Sequence, residues 1–340
     1  LPIVVACFFL RGETSYMVKA LGIFSGGLDS ILAALLLRQQ GIEVHCICFT
    51  SPFFDCEKAR SAAQLYDLPL QVMDIGVEHL QMLKNPRYGY GRNMNPCIDC
   101  HAQMFEFAGK VMQEEGYDFL FSGEVLGQRP KSQNQSALMA VNKASTWPGK
   151  LLRPLSAKLL PITPMEEAGL VDREQLLDIN GRSRKAQEQL AIELGVTDYP
   201  SSGGGCLLTE NSFSGRLKDL FVHQPDCGIY DIELLKLGRP FRLSAAAKLT
   251  LGRNRSSNEA LKRLASDTGI LLRCRNFSGP LGVISGEAQA EDLAKGAAIV
   301  ASYGKGAQQQ QVEILLSCAG EQQILTVAPM PRAEAQTMLL

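Results

Sequence analysis

Apolar residues along this chain follow two rhythms, and the change between them divides it. Up to about residue 200, short continuous apolar runs alternate with helical periodicity. The runs at 20–24, 43–49, 70–74, 118–123 and 151–155 predict buried strands; the segments 31–37, 56–66, 101–115, 172–179 and 184–194 predict helices. This alternation predicts an α/β fold: a parallel sheet with helices on both faces, right-handed crossovers and ligands at the carboxyl ends of the strands. Residues 25–30, Phe49, Asp74, and the loop that carries Gly123 and Gln128 then share one rim. Beyond Arg216, Gly238, Gly252 and Gly269 cut the apolar stretches short, which predicts a smaller C-terminal α+β domain.

The apolar run at 2–10 has no positive residue ahead of it and no small-residue cleavage site behind it, so it makes a poor signal peptide, and it is too short to span a bilayer. Residues 1–16 therefore read as an upstream extension, 17–220 as the first domain and 225–340 as the second. No later stretch is apolar for long enough to be a membrane helix, which predicts a soluble protein, and the cysteine usage places it in the cytoplasm.

The strand at 20–24 runs into Ser25-Gly26-Gly27-Leu28-Asp29-Ser30, just ahead of a leucine-rich helix. Two residues without Cβ let the backbone turn sharply and bring N–H groups close to an anion. Ser25 and Ser30 add hydroxyl donors, and the helix dipole favours negative charge there. A lysine-bearing phosphate loop needs Gly-Lys-Ser/Thr; this turn ends in Asp29-Ser30 instead. The six residues resemble the PP-loop signature of ATP pyrophosphatases, which adenylate a carbonyl oxygen and release pyrophosphate. The resemblance implies ATP and Mg²⁺ as cofactors, with Ser25, Gly26, Gly27, Asp29 and Ser30 at the phosphates and Asp29 organising the cation. Phe49, Gly123 and Gln128, on the same rim, complete the expected ATP site.

Ten cysteines in an α/β pattern suit a reducing compartment better than a disulfide framework. Cys97 and Cys100 form one CxxC, which fits a redox dithiol, half a zinc site or half an iron–sulfur site. A metal needs a third partner, and Cys206, after three glycines, is the candidate. Three cysteines with no obvious fourth ligand suit a 4Fe–4S cluster with one open iron able to take a small sulfur ligand; zinc, with His101, and dithiol or persulfide chemistry are the alternatives. Cys46, Cys48, Cys274 and Cys318 read as small core hydrophobes. The segment from Ser122 to Gln128, with Ser132-Gln133 and Leu152-Arg153-Pro154-Leu155, resembles tRNA 4-thiouridine synthetases, and the cysteine set resembles sulfide-dependent tRNA thiolases. These resemblances imply thiolation of a tRNA pyrimidine, with Asp29, Cys97 and Cys206 catalytic and Cys97, Cys100 and Cys206 as cluster ligands. They leave open whether sulfur comes from free sulfide or a persulfide carrier, and whether the protein is a homodimer.

Lys plus Arg number 34 and Asp plus Glu 35, so no global basic excess marks a nucleic-acid binder, and any such role must rest on a local patch. The stretch 236–275 supplies one: ten Lys and Arg residues, among them Arg239, Arg242, Lys248, Arg253 and Arg255, against Glu259 and Asp267. Phe241 and Phe277 could stack on bases or equally belong to the core. The run from Leu237 to Leu243, with Lys248 to Asn254, resembles the RNA-binding module of NFACT proteins. Arg182, Arg184 and Lys185 form a second basic cluster, suited to tRNA or ATP phosphates. Two other functions remain: adenylation of a non-RNA small molecule, and non-catalytic RNA binding.

Overall fold

The structure is a computed structural model that describes residues 16–201, 206–265 and 269–340. Apart from Tyr16, the upstream extension lies outside the described residues, as do the three glycines before Cys206 and Asp267. In chain order the elements are β1 (Lys19–Ile23), α1 (Leu28–Gln39), β2 (Glu43–Thr50), α2 (Glu57–Leu65), β3 (Leu70–Asp74), α3 (Gly76–Lys84), α4 (Cys97–Glu115), β4 (Phe119–Ser122), α5 (Gln135–Ala144), β5 (Leu151–Leu152), α6 (Pro164–Glu167), α7 (Lys185–Glu193), α8 (Asn211–His223), α9 (Ile229–Lys236), β6 (Arg239–Arg242), β7 (Ala247–Leu251), α10 (Arg255–Leu264), β8 (Ile270–Cys274), β9 (Gly282–Gly286), α11 (Ala290–Ser302), β10 (Val312–Cys318), β11 (Glu321–Val327) and α12 (Arg332–Thr337).

The chain folds into two compact units whose segments interleave. One holds the chain up to Cys48, then Cys56–Val72 and the stretch from His101 to Ser201; the other holds Phe49–Asp55, Met73–Cys100 and the chain from Cys206 on. The five-stranded sheet of the first runs β3-β2-β1-β4-β5, and β1 pairs in parallel with both β2 and β4. Connections leave β1 in both directions, so the crevice beyond its carboxyl end is the point at which an open α/β sheet receives its ligand. Helix α1 is apolar nearly all round and buries Leu28, Ile31, Leu32, Leu35, Leu36 and Leu37, as expected of a helix enclosed by protein.

The second unit contains an antiparallel six-stranded sheet, β11-β10-β8-β9-β7-β6. Strand alternation sends Ala247, Leu249 and Leu251 into a core shared with Val300 and Ala301 of α11. Val283 of β9 joins a second cluster with Leu234 of α9 and Leu261 of α10. Apolar neighbours on both faces bury β7 along its whole length.

Three local expectations are corrected. Segment 172–179 holds only a 3-10 turn at Arg173–Gln175, because Leu177 and Ile179 donate their N–H groups to the carbonyls of Pro154 and Leu155 and run extended beside them. Cys48 and Cys56 are joined as a disulfide: the end of β2 meets the start of α2 with 6.1 Å between the two Cα atoms, within bridging range. Cys318 is exposed at the end of β10, where the strand turns into β11, whereas Cys46 and Cys274 are buried as expected.

Candidate functional site

The turn after β1 takes the shape its glycines permit. Gly26 has φ +72°, and an added Cβ would stand 2.3 Å from the Lys58 carbonyl oxygen, so only glycine can occupy the position. Gly27 is the N-cap of α1, and the first-turn N–H groups of a helix have no partner within it. Ser30 Oγ donates to the Gly27 carbonyl at 2.8 Å and lies 3.4 Å from Ser25 Oγ, which leaves Ser25 exposed at the mouth of the turn. Gly123 closes the other side: a Cβ there would meet the Asp29 carbonyl at 2.5 Å, so the β4 loop runs directly against the start of α1.

Asp29 is the centre of a polar relay. Its Oδ2 accepts from Gln128 Nε2 at 2.9 Å and from the Arg184 guanidinium at 3.1 Å, and Gln187 Nε2 approaches Gln128 Oε1 at 3.4 Å. Asp29 Oδ1 is buried with no hydrogen-bond partner among the described residues. Such an oxygen calls for a ligand, because an unsatisfied buried acceptor costs on the order of 1–3 kcal/mol. A carboxylate oxygen is the kind of donor Mg²⁺ takes from protein when substrate phosphates complete its shell. Arg184 therefore belongs to the loop chemistry, while Arg182 and Lys185 beside it are exposed. Phe49 is 3% exposed in β2, which leaves only its backbone open to a nucleotide.

Glu124, one residue beyond Gly123, anchors a buried ionic cluster. Its carboxylate meets Arg153 Nε at 2.9 Å and His101 Nδ1 at 2.8 Å, and Arg153 also donates to Asn142. Burial alone would raise the Glu124 pKa, but the Arg153 charge and the His101 contact outweigh it and hold the carboxyl down to about 2. A carboxylate held below its unfolded value of 4.5 stabilises the fold above that pH, and the contribution is lost as pH falls towards about 2. Glu124→Gln is expected to cost about 3–5 kcal/mol in chemical denaturation at pH 7, because it leaves Arg153, 4% exposed, as an unpaired buried charge. The variant's stability should also fall less steeply than the wild type's below pH 4.5.

In the second unit, Cys97 and Cys100 occupy the first turn of α4, which begins four residues ahead of the expected helix. The i, i+3 spacing puts both thiols on one face. Asn95 Nδ2 donates to Cys97 Sγ at 3.3 Å, and Asp99 accepts the N–H groups of Arg87 and Tyr88, which fastens the preceding loop to the helix start. Burial pushes the Cys100 thiol well above its ordinary range, and the charges of Cys206 and Cys97 push it further, so the three predicted cysteines come within electrostatic reach of one another. No group of three or more His, Cys, Asp or Glu side chains among the described residues is arranged to hold a metal ion. The donor chemistry suits a thiolate-held cluster, but these thiols do not form a closed metal site.

The basic stretch divides. Lys248 is 2% exposed and Phe241 fully buried, so neither can touch RNA: the expectation for Lys248 is corrected, and Phe241 takes the core position that was its alternative. Arg242 is tied to Asp219 by an ion pair. Arg253 and Arg255 are exposed, and Arg239 is half-buried beside the Tyr303 ring. The sequence did not single out Gln187, whose signal is a polar residue on the core face of α7, three and four positions before buried Leu190 and Ala191. The pairing of His101 with Glu124 left no local signal.

Comparison with known proteins supports the resemblance of the first part of the chain to tRNA thiolation enzymes and of the C-terminal part to the NFACT module. Residues 16–158 match the family described as Thiamine biosynthesis protein (ThiI), and residues 238–338 match the NFACT protein RNA binding domain. A tRNA-specific 2-thiouridylase MnmA of Dichelobacter nodosus is 28% identical over 217 residues, covering 59% of this chain and 54% of its own. A probable tRNA sulfurtransferase of Thermoanaerobacter sp. (strain X514) is 31% identical over 187 residues, covering 53% of this chain and 43% of its own. The chain thus spans about half the length of the curated relatives it matches. Among solved structures, a 4-thiouridine synthetase–RNA complex with bound ATP aligns over 53% of this chain and 52% of its own, at 23% identity and a TM-score of 0.34.

Proposed function

We propose that this protein is an ATP-dependent tRNA sulfurtransferase of the cytoplasm, which replaces a pyrimidine carbonyl oxygen of tRNA with sulfur. The observation that carries the reading is Asp29: its Oδ1 is buried and unpartnered, and the residue sits in the first turn of the helix that follows a glycine turn at the switch point of a parallel sheet. The match of residues 16–158 supports the chemistry, and that of 238–338 supports RNA as the substrate class.

In this reading the amides of the Gly26–Gly27 turn and the Ser25 hydroxyl hold the ATP phosphates, and Arg184 lends positive charge beside them. The carbonyl oxygen of an extruded uridine or cytidine attacks the α-phosphorus; the new P–O bond forms as the bond to pyrophosphate breaks. A sulfur nucleophile then adds to the ring carbon, and AMP departs with the oxygen. Asp29 Oδ1 is the carboxylate that would hold Mg²⁺, which when bound offsets phosphate charge. Cys97, Cys100 and Cys206 would hold a 4Fe–4S cluster, which when bound supplies an open iron for sulfide. Without it, Cys97 or Cys206 would take sulfane sulfur by exchange from a persulfide carrier, and its outer sulfur would add to the ring carbon. The thiolate of the other would then cleave the S–S bond, releasing the thiolated base and leaving a disulfide for an external thiol to reduce.

Mass spectrometry of tRNA nucleosides tests the reading. Cells lacking the protein are expected to lose one thiolated pyrimidine, which the wild-type chain restores and Asp29→Ala does not. Unchanged nucleosides would overturn it. ATP turnover without RNA would favour a small-molecule acceptor, and no pyrophosphate release with any RNA a non-catalytic binder.

A further inference from the structure

A basic concavity lies in the second unit. A cleft of about 650 Å³ is walled by the first turns of α10 and by the loop between β8 and β9, and its charged lining is Arg239, Arg253, Arg255, Lys262 and Arg273 against Glu259. Glu259 is occupied by Arg255 at 2.9 Å, whereas Arg253, Lys262 and Arg273 have no acidic partner among the described residues. The excess charge reaches neighbouring groups: burial, and after it the charge of Arg253, lowers the pKa of Arg216.

The cleft is also held open in advance. Asn258 Oδ1 accepts from the Leu281 N–H at 3.2 Å, Gly252 donates to the Leu281 carbonyl at 2.9 Å, and Lys305 donates to the Ser278 carbonyl at 2.8 Å. These three bonds fix the far wall to α10 and to the end of α11. Arg239 lies 5.5 Å from the centre of the Tyr303 ring, with Arg332 5.1 Å from the same centre, so the Arg239 guanidinium is braced at the cleft floor. Phe277 is half-buried in the loop wall and gives the cleft an aromatic side.

We infer that this cleft binds an unpaired stretch of RNA, with the sugar-phosphate backbone along Arg253, Lys262 and Arg273 and one base against Phe277. The inference rests on the reading of RNA as substrate and adds to it the form of RNA that is held. The volume is that of sites enclosing a small-molecule-sized ligand, roughly 300–1,000 Å³, and so has room for a nucleotide or two. Basic grooves with an aromatic side select single strands, because only an unstacked base offers its face to a ring. Free mononucleotides share this chemistry, but three lining cations without acidic partners among the described residues exceed what one phosphate needs.

Fluorescence anisotropy on the full chain, without ATP, tests the assignment with a labelled single-stranded RNA dodecamer, a hairpin of equal length and AMP as competitor. The single strand is expected to bind about tenfold more tightly than the hairpin, and AMP to compete weakly. Each of Arg273→Ala and Lys262→Ala should weaken binding and reduce the salt slope by about 0.7. Phe277→Leu should cost about 5- to 150-fold with the slope unchanged. Lys295→Ala, on α11 and paired with Glu291, should match the wild type. Because Arg273 and Lys262 are exposed, their slopes stand as a test even where Phe277→Leu disturbs the fold. A hairpin bound equally well, AMP competing as strongly as RNA, or unaltered slopes in both cation variants would each overturn the inference. Asp29→Ala should bind the dodecamer like the wild type, so loss of sulfur transfer and loss of cleft binding are separate results.

Discussion

Replacing Asp29 with alanine should lower RNA-dependent pyrophosphate release by about 10²- to 10³-fold, the scale on which one preorganised electrostatic group acts at a transition state. The carboxylate has two separable jobs. Oδ2 is bonded to Gln128 and Arg184 and organises the relay; Oδ1 is buried and unpartnered, and is the oxygen left for a cation. Asp29→Asn keeps the shape and one carbonyl acceptor but loses the charge. If the cation role dominates, Asn should therefore be nearly as damaging as Ala, and raised Mg²⁺ should rescue neither. Arg184→Ala removes only the Oδ2 partner and should be milder. Folding does not confound the comparison, because Arg184 is partly exposed and can turn to water when its partner is removed. Wild-type pyrophosphate release by Asp29→Ala would remove the basis for assigning this turn to ATP.

Legibility in the sequence followed how local each feature's cause is. The parallel sheet, the glycine turn and the Cys97–Cys100 pair are written in contiguous residues, where apolar runs, two adjacent glycines and a fixed spacing act within one or two turns of chain. The ionic cluster is not: Glu124 draws its partners from 29 positions ahead and 23 behind, and nothing around Arg153 or His101 announces the meeting. Lys248 shows the opposite failure. In a run of basic residues it reads as surface charge, yet strand β7 has both faces covered and draws the lysine inside with Leu249 and Thr250. The segment 172–179 went astray for a related reason, since its helical pattern is overridden by backbone bonds to Pro154 and Leu155. Local pattern shows which residues could do chemistry, and long-range pairing decides which of them remain at a surface to do it.

Cys206→Ala should abolish thiolated product while leaving pyrophosphate release within a few-fold of wild type, because activation of the base and delivery of sulfur draw on different side chains. The same measurement on Cys97 and Cys100 separates the two sulfur chemistries. A cluster held by three cysteines needs each of them, so all three alanine variants should lose product together, and anaerobic protein from each should carry less iron and acid-labile sulfide. A persulfide on Cys97 or Cys206 makes no such demand of Cys100, and Cys100→Ala would then keep most of its product. Cys97 and Cys100 share one face of the first turn of α4, Asp99 fastens that turn to the preceding loop, and Cys206 lies close enough for its charge to bear on Cys100. Iron-free anaerobic protein combined with full activity of Cys100→Ala would refute the cluster and leave the persulfide as the sulfur carrier.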